Sequence, residues 1–382
     1  MTLELTPLEQ LPPTVERAAG ASAPAVVKLM AARGMAPLAP ADLVVALYQL
    51  GFSLEDPVRE AAIKSSAELP DAVLQGALAA PLDPRVLDFF ARKVTKRAPL
   101  VQLVLLNRAV HDETLRYLAT VLDEGELETI AKNEERLLRA PGIIAALYLN
   151  PRTRMSTAQR IVELAARNGV RVDEIPTFDE ITHAVMQDGA SVDAAQLDAE
   201  FKEAAVIGGV DEEPVVAAPV DDAAAAEAAE VDALLEEPKE GETPPEQQEK
   251  EKRLEKLSPA AKIRIATLGN SFARGVLIRE KNKQVAMACI KSPGVSDAEA
   301  LKYANNRSLD ANIIGFISNQ RSWTRLPGIR LALCNNPKTP LPAALRMLPT
   351  LNIRDLKILM RSKGIPSVIT KQAKDIVQSR GA

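Results

Sequence analysis

Short apolar segments alternate with polar turns along most of the chain, and the spacing of their apolar residues is helical. In one such segment Leu87, Phe90 and Ala91 recur at intervals of three and four positions. The turns hold Ser, Thr, Asp, Pro or Gly, which begin and end helices, and Ser258 with Pro259 is predicted to be an N-cap and first helical position. No alternating strand pattern is sustained, so the sequence predicts an all-α protein.

One unit occurs twice in closely similar form. Residues 140–160 read APGIIAALYLNPRTRMSTAQR and residues 326–346 read LPGIRLALCNNPKTPLPAALR, with the Pro-Gly-Ile start and the Asn-Pro-x-Thr turn at one constant offset. More divergent copies start at Val58, Leu100 and Val285, so that starts lie 42 or 43 residues apart within each half of the chain. Each copy has an apolar segment, a polar turn and an amphipathic segment, and a third segment follows. We therefore interpret the chain as a duplicated helical repeat.

Helical repeats of this length resemble those of the HEAT and armadillo class of α-solenoids. The resemblance rests on period and pattern, and it covers about residues 20–186 and 246–382. It implies that repeats stack around a continuous core and present a binding or scaffolding surface rather than a catalytic pocket. Some enzymes use such solenoids, including a HEAT-like group of DNA glycosylases, so a solenoid enzyme stays an alternative.

The middle of the chain has a different composition. Residues 187–245 consist mainly of Ala, Glu, Asp and Pro, with too few large apolar residues to offset the entropy of ordering them. We predict a disordered acidic linker here, between a repeat block at 20–186 and a second at 246–382, with an N-terminal extension at 1–19. The stretch EVDALLEEP at 230–238 is interpreted as transiently helical spacer, with a partner-docking motif as the alternative.

Composition supports this interpretation. Aromatic residues make up 3% and apolar residues 47% of the chain, so the cores are packed by aliphatic side chains, which favours helices. Two cysteines are too few for a disulfide framework. The N-terminal residues lack the basic region of a signal peptide, and no apolar run approaches the length of a membrane span. We therefore expect a cytoplasmic protein without a transmembrane segment.

Charge is strongly segregated along the chain. Residues 1–170 hold 19 Lys and Arg against 20 Asp and Glu, residues 171–258 hold 7 against 25, and residues 259–382 hold 21 against 6. The three parts therefore carry about −1, −18 and +15. Such asymmetry indicates the chemistry of partners rather than the fold.

Residues that could carry catalysis or bind metals are sparse. His111 and His183 lack a second ligand at metal spacing, and we expect His111 to be solvated or to cap a helix. Cys289 and Cys334 fall at comparable places in two repeats and are interpreted as buried structural residues. In GNSFARG, residues 269–275, the glycine is expected to end one helix and the asparagine or serine to cap the next. The sequence thus predicts no catalytic residue, no metal site, no cofactor and no enzymatic activity.

The basic C-terminal block is the candidate binding surface, because charges at equivalent turns of a repeat array can align. Trp323, the only tryptophan, lies among three arginines and is expected in the core more readily than as a stacking platform. Arg330 stands where the first block has Ile144. The predicted surface consists of Arg321, Trp323, Arg325, Arg330, Lys338, Arg354, Lys357, Arg361 and Lys363.

Several functions are compatible with this surface. The favoured interpretation is a non-enzymatic scaffold or adaptor whose basic block binds an acidic protein partner, or the chain's own acidic linker, which would modulate access. A helical-repeat protein that binds nucleic acid is the alternative, although no recognised reading motif is present. An anionic membrane surface is a less favoured partner.

Overall fold

A computed structural model describes residues 4–187, 193–210 and 245–380 of the chain. These residues form twenty-five α-helices and one 3-10 turn, Leu348–Thr350, and they contain no strand. The all-α prediction is therefore confirmed. The chain divides into two compact units, Met1–Glu174 and Ile175–Ala382.

The first unit contains twelve helices. They are α1 (Pro13–Ala19), α2 (Ala25–Ala32), α3 (Pro40–Leu50), α4 (Asp56–Glu68), α5 (Asp71–Leu78), α6 (Pro84–Ala91), α7 (Ala98–Leu106), α8 (Asp112–Val121), α9 (Glu124–Ala131), α10 (Glu134–Arg139), α11 (Pro141–Leu149) and α12 (Met155–Arg167).

The second unit contains the remaining thirteen helices of the described residues. They are α13 (Phe178–Gln187), α14 (Ala194–Ile207), α15 (Pro245–Glu255), α16 (Pro259–Leu268), α17 (Ser271–Leu277), α18 (Lys283–Lys291), α19 (Asp297–Asn305), α20 (Ala311–Asn319), α21 (Arg321–Thr324), α22 (Pro327–Asn335), α23 (Leu341–Met347), α24 (Ile353–Arg361) and α25 (Ser367–Arg380).

Within each unit, helices pack mainly on helices close to them in the sequence. In the first unit α3 packs on α1 and α5, α7 packs on α5 and α9, and α8 packs on α11. In the second unit α18 packs on α16 and α20, α22 packs on α19 and α24, and α24 packs on α25. Aliphatic side chains fill these contacts, and Leu47, Leu147 and Ile317 are among those with no exposed surface. Burial of such side chains supplies the main stabilisation of the fold.

Local polar residues set the helix ends as the sequence predicts. The Ser258 hydroxyl accepts a hydrogen bond from the Ala261 amide at 3.3 Å, and Pro259 is the first residue of α16. Gly269 ends α16, and the Asn270 side chain caps α17. These predicted caps are confirmed.

The third segment of two repeats is divided into two helices, where the sequence pattern predicts one. Between α9 and α10 the Asn133 side chain accepts a hydrogen bond from the Arg136 amide at 3.2 Å and starts a new helix. Between α20 and α21, Gln320 has an extended backbone (φ −81°, ψ 112°). Apolar periodicity continues across both breaks and therefore does not reveal them, whereas the asparagine offers the backbone a local alternative to the helix.

An asparagine at the end of a helix bonds to backbone carbonyls earlier in the chain at three places. The Asn150 Nδ2 atom donates to the Ala119 carbonyl at 2.9 Å, and its Oδ1 atom accepts from the Arg152 amide at 2.9 Å. Asn107 and Asn336 make the same pair of contacts, each with carbonyls about thirty residues earlier and the amide two residues later. The repeated Asn in the sequence therefore has a repeated structural role.

Part of the predicted linker is folded. Helix α14 lies within residues 187–245 and buries Leu197, Phe201 and Ala204, which are 6%, 4% and 3% exposed. These residues lie four and three positions apart and form one apolar stripe, which the average composition of the segment conceals. The prediction of disorder does not hold for α14, while residues 211–244, including EVDALLEEP, lie outside the described residues.

Residues 175–187, most of which the sequence pattern assigns to the first block, pack within the second unit. The Lys291 Nζ atom donates to the Glu180 carboxylate at 2.7 Å, and the Thr177 and Thr267 hydroxyls are 3.1 Å apart. Helix α13 packs on α16 and α18. The acidic end of the first predicted block thus contributes a carboxylate to a lysine of the basic block.

Candidate interaction surface

The predicted surface residues divide between exposed and enclosed positions. Arg321, Arg325 and Lys363 are exposed beside the ends of helices, and three further cations are exposed on α24. Trp323 is only 7% exposed, with its ring 6.2 Å from the Phe316 ring in an edge-on arrangement. Trp323 is therefore a core residue in this fold and does not form a platform for a ligand.

Lys338 has a structural role in addition to its charge. Its Nζ atom donates to the Ser308 and Leu309 carbonyls at 2.9 and 2.6 Å. In the first copy, Arg152 occupies the corresponding position and donates to the Val121 carbonyl at 3.3 Å. The basic residue of this turn therefore bonds to an earlier segment of the chain in both copies of the repeated sequence.

Arg330 is a cation in a position that is apolar in the first copy. Ile144, its counterpart, has no exposed surface, whereas Arg330 is half-buried. The Arg330 Nε atom is buried and has no hydrogen-bond partner among the described residues. A buried donor without a partner destabilises the fold, so the arginine is not explained by its contribution to stability.

Helix α24 presents three exposed cations and no exposed carboxylate. Leu356 and Leu359 are fully buried against the neighbouring helices, while residues three, four and seven positions apart share the outward face. Gly364, with φ 82°, allows the turn that returns the chain to α25. The outward face of α24 carries Arg354, Lys357, Ile358 and Arg361.

The cations of residues 300–380 lack acidic partners. This segment holds fourteen Lys and Arg against three Asp, a net charge of +11. None of the fourteen has a nitrogen within 4.0 Å of a carboxylate of the described residues. In the first unit, by contrast, twelve of the fifteen arginines are in such ion pairs, as Arg92 is with Asp88 at 2.8 Å.

A comparison of the two copies shows one origin of this difference. Arg160 in the first copy pairs with Glu128 at 3.1 Å. Arg346 is its counterpart in the second copy, but Ile314 and Gly315 stand where Glu128 would be expected. Arg346 is consequently exposed without an ion pair among the described residues. Sequence reasoning missed Arg346, and an alignment of the third segments could have found it.

Cations near the start of the basic block form ion pairs inside the second unit. The Arg274 guanidinium is 4% exposed and donates to both Glu299 oxygens and to the Gly294 carbonyl. Lys262 pairs with Glu280, and both side chains are largely buried. The basic composition of residues 259–299 therefore overstates the charge that is available to a partner, and sequence position alone gave no sign of these pairs.

A polar cleft of about 630 Å³ lies beside these internal pairs. Arg279, Lys281 and Lys302 are among the residues that line it, together with Glu251 and Glu255 of α15. Helix α15 is polar on nearly every face, and Leu254 is its one fully buried residue among the described side chains. The end of the acidic segment therefore shares a cleft with exposed cations of the second unit.

The histidine and the two cysteines that were candidates for catalysis have roles in the fold instead. The His111 Nδ1 atom accepts a hydrogen bond from the Glu113 amide at 3.2 Å and caps α8, which confirms the predicted capping role. Cys289 and Cys334 are both buried and unpaired, as predicted. Burial raises the pKa of the Cys289 thiol above its ordinary range and that of Cys334 to about 12, although Arg330 lowers the latter. Neither cysteine is therefore activated as a nucleophile.

The described residues contain neither a metal-binding group of side chains nor a membrane-spanning helix. No three His, Cys, Asp or Glu side chains within those ranges are grouped so that they could hold a metal ion. None of the described helices is sufficiently long and apolar to cross a membrane. Comparison with protein-family models, with curated proteins and with solved structures finds no match.

Proposed function

We propose that this protein is a non-enzymatic scaffold or adaptor that binds an acidic protein partner through residues 300–380. One observation carries the proposal, namely that fourteen cations of this segment have no carboxylate partner among the described residues. Arginines of the first unit show that this chain pairs its cations where they serve the fold. Unpaired cations of one sign attract an acidic surface and speed its association.

The helices of each unit are proposed to stack as HEAT-like or armadillo-like repeats. Packing between nearby helices and the recurring bonds of Asn107, Asn150 and Asn336 support that arrangement. Stacked repeats present equivalent turns in a row, which suits a binding surface. The two unpaired, buried cysteines fit a reducing compartment, and we place the function in the cytoplasm.

A protein partner is favoured over nucleic acid by the aromatic residues of the surface. Proteins that bind single strands stack bases on exposed aromatic rings. Tyr303 and Trp323 are buried in this segment, and Phe316 packs against the tryptophan. The described surface therefore offers phosphate-binding charge without a stacking platform.

The acidic segment is proposed to compete for the same cations. Residues 211–244, which lie outside the described residues, hold twelve Asp and Glu against one Lys. Glu251 and Glu255 line the same cleft as Lys302, which is one of these cations, and this supports the idea because the adjoining part of the acidic region already lies near a cation of the surface. Competition of this kind would lower the affinity for an external acidic partner.

The first experiment measures the affinity of the full chain for poly-L-glutamate. We expect the triple variant Arg354→Glu, Lys357→Glu, Arg361→Glu to bind at least ten-fold more weakly, and binding to fall as salt increases. A matched control reverses three exposed cations of the first unit with the same change in net charge. The control residues are Arg33, Lys64 and Lys132. Equal losses in the two triple variants would contradict a localised surface.

A second experiment tests the acidic segment. Replacing every Asp and Glu of residues 211–244 by Asn and Gln keeps the length of the chain and removes the competing charge. Polyglutamate is then expected to bind several-fold more tightly, with the gain disappearing at high salt. An unchanged affinity would reject the proposed competition but would not contradict binding by the basic surface. A preference for duplex or single-stranded nucleic acid over polyglutamate would instead identify a nucleic-acid-binding protein.

A further inference from the structure

The basic face of α24 also exposes apolar side chains. Ile358 is 46% exposed and lies between three cations on the outward face, opposite the buried Leu356 and Leu359. Ile353 and Met360 lie on the Lys357 side of this face, toward the buried stripe, and are 39% and 37% exposed. The helix therefore presents aliphatic surface and unpaired charge together.

This exposure is concentrated in one stretch of the chain. Five large apolar side chains are exposed within residues 300–380, and four of them lie between residues 353 and 368. The fourth of this group is Val368 on α25, which is 48% exposed and follows the turn after α24. Isolated exposed apolar residues are ordinary, whereas a group that coincides with unpaired cations indicates an interface.

We propose that this face of α24 binds a partner segment that combines carboxylates with aliphatic side chains at helical spacing. The proposal rests on the proposed function and specifies the chemistry of its acidic partner. Exposed ion pairs alone contribute little to affinity, whereas an exposed aliphatic side chain that becomes buried on binding adds the free energy of removing its apolar surface from water. A partner with only negative charge would leave Ile358 and Met360 without contacts.

A membrane fits the geometry less well than a protein segment. A helix that lies on a bilayer presents a broad apolar face to the acyl chains, with cations at its margins. On α24 the apolar stripe is buried in the fold, and the outward face has Ile358 among Arg354, Lys357 and Arg361. A narrow apolar centre with a cationic surround matches an acidic amphipathic helix.

The chain itself supplies a probe with the required chemistry. Residues 227–237 read EAAEVDALLEE and combine five carboxylates with Val231, Leu234 and Leu235 at helical spacing. A labelled peptide of this sequence is the probe. The control peptide carries Val231→Ser, Leu234→Ser and Leu235→Ser and has the same charge. The same residues of the intact chain compete equally with both peptides, so the ratio of affinities is preserved.

Fluorescence anisotropy with the full chain measures both affinities. We expect the apolar peptide to bind at least ten-fold more tightly than the control peptide. The protein variant Ile358→Ser, Met360→Ser should remove that difference and leave polyglutamate binding unchanged, because its charge is unaltered. Both residues are exposed, and unchanged Trp323 fluorescence verifies that the variant is folded.

The possible results separate this inference from the proposed function. Equal binding of the two peptides, or an affinity insensitive to Ile358→Ser, Met360→Ser, would show a surface that recognises charge alone, and the inference would fail while the function stands. A third result is that vesicles of phosphatidylserine and phosphatidylcholine capture the wild type but not this variant, while the two peptides bind equally. The partner of the α24 face would then be a membrane rather than a protein segment. Absence of binding to polyglutamate and to both peptides would refute both proposals.

Discussion

Replacement of Asn336 by alanine is expected to destabilise the second unit substantially. Asn336 is 1% exposed, and its Nδ2 atom donates to the Ala304 and Asn306 carbonyls at 2.8 and 3.1 Å. Its Oδ1 atom accepts from the Lys338 amide at 3.0 Å. Each lost hydrogen bond costs about 1 kcal/mol, and more where the remaining partner stays buried, so the free energy of unfolding should fall by about 3 kcal/mol.

The neighbouring residue provides the control. Asn335 ends α22, and its Oδ1 atom is buried without a hydrogen-bond partner among the described residues. Asn335→Ala removes an unsatisfied polar atom, and we expect it to leave stability unchanged or to raise it by about 1 kcal/mol. The two variants delete the same atoms from adjacent positions, so they differ only in the contacts of the asparagine.

Urea unfolding followed by Trp323 fluorescence measures the effect. Trp323 is the only tryptophan and is buried close in sequence to Asn336, so its emission reports on the second unit. With a slope of about 2 kcal/mol per molar urea, a loss of about 3 kcal/mol lowers the midpoint by about 1.5 M. Equal midpoints for Asn335→Ala and Asn336→Ala would refute the role assigned to the repeated asparagine.

Three other predictions concern buried polar and thiol groups. Arg274→Met should lower the free energy of unfolding by about 3–5 kcal/mol because it leaves Glu299 buried without its partner, and the added Glu299→Gln should restore part of the loss in the same urea assay. Burial raises the pKa of Tyr48 to about 12, so the proton is held more tightly in the folded state; its stabilisation is present below pH 10 and is lost between pH 10 and 12. Denaturation of wild type and Tyr48→Phe at pH 9 and pH 11 checks this, and a parallel decline of both proteins would argue against it. Cys289 and Cys334 should react with a thiol reagent only at the rate of unfolding, and rapid labelling of the native protein would show that the buried positions are incorrect.

The sequence predicts the helices well because apolar spacing and caps are local signals. Ser258, Gly269 and Asn270 begin and end helices where their side chains and backbone preferences indicate. The repeated Asn150 and Asn336 are visible as identical residues, but their bonds to the preceding repeat depend on the packing of two helices. Local sequence signals therefore identify the positions of these asparagines but do not reveal which distant carbonyls they bond.

Average composition predicts less well whether a segment is ordered or which charges are exposed, because a few residues decide both. Leu197 and Phe201 order a helix within an acidic segment, because three or four well-spaced apolar residues suffice when another helix covers them. Likewise, Lys262 and Arg274 count as basic residues in the sequence but are neutralised by carboxylates inside the second unit. Which charges remain available depends on tertiary contacts that no average over the sequence contains.

The two copies of the repeated sequence share residues that serve the fold and differ at residues that do not. Both keep the turn asparagine and the basic residue two positions later, whose bonds to backbone carbonyls join separate segments of the chain in each unit. The second copy differs in ways that folding does not favour, since Arg330 replaces the buried Ile144 and Arg346 lacks the acid that Glu128 provides to Arg160. The first change adds a charge and lowers stability, and the second leaves a charge without the stabilising partner it has in the first copy. Changes of that kind, gathered in one unit, are expected where charge is retained for a partner.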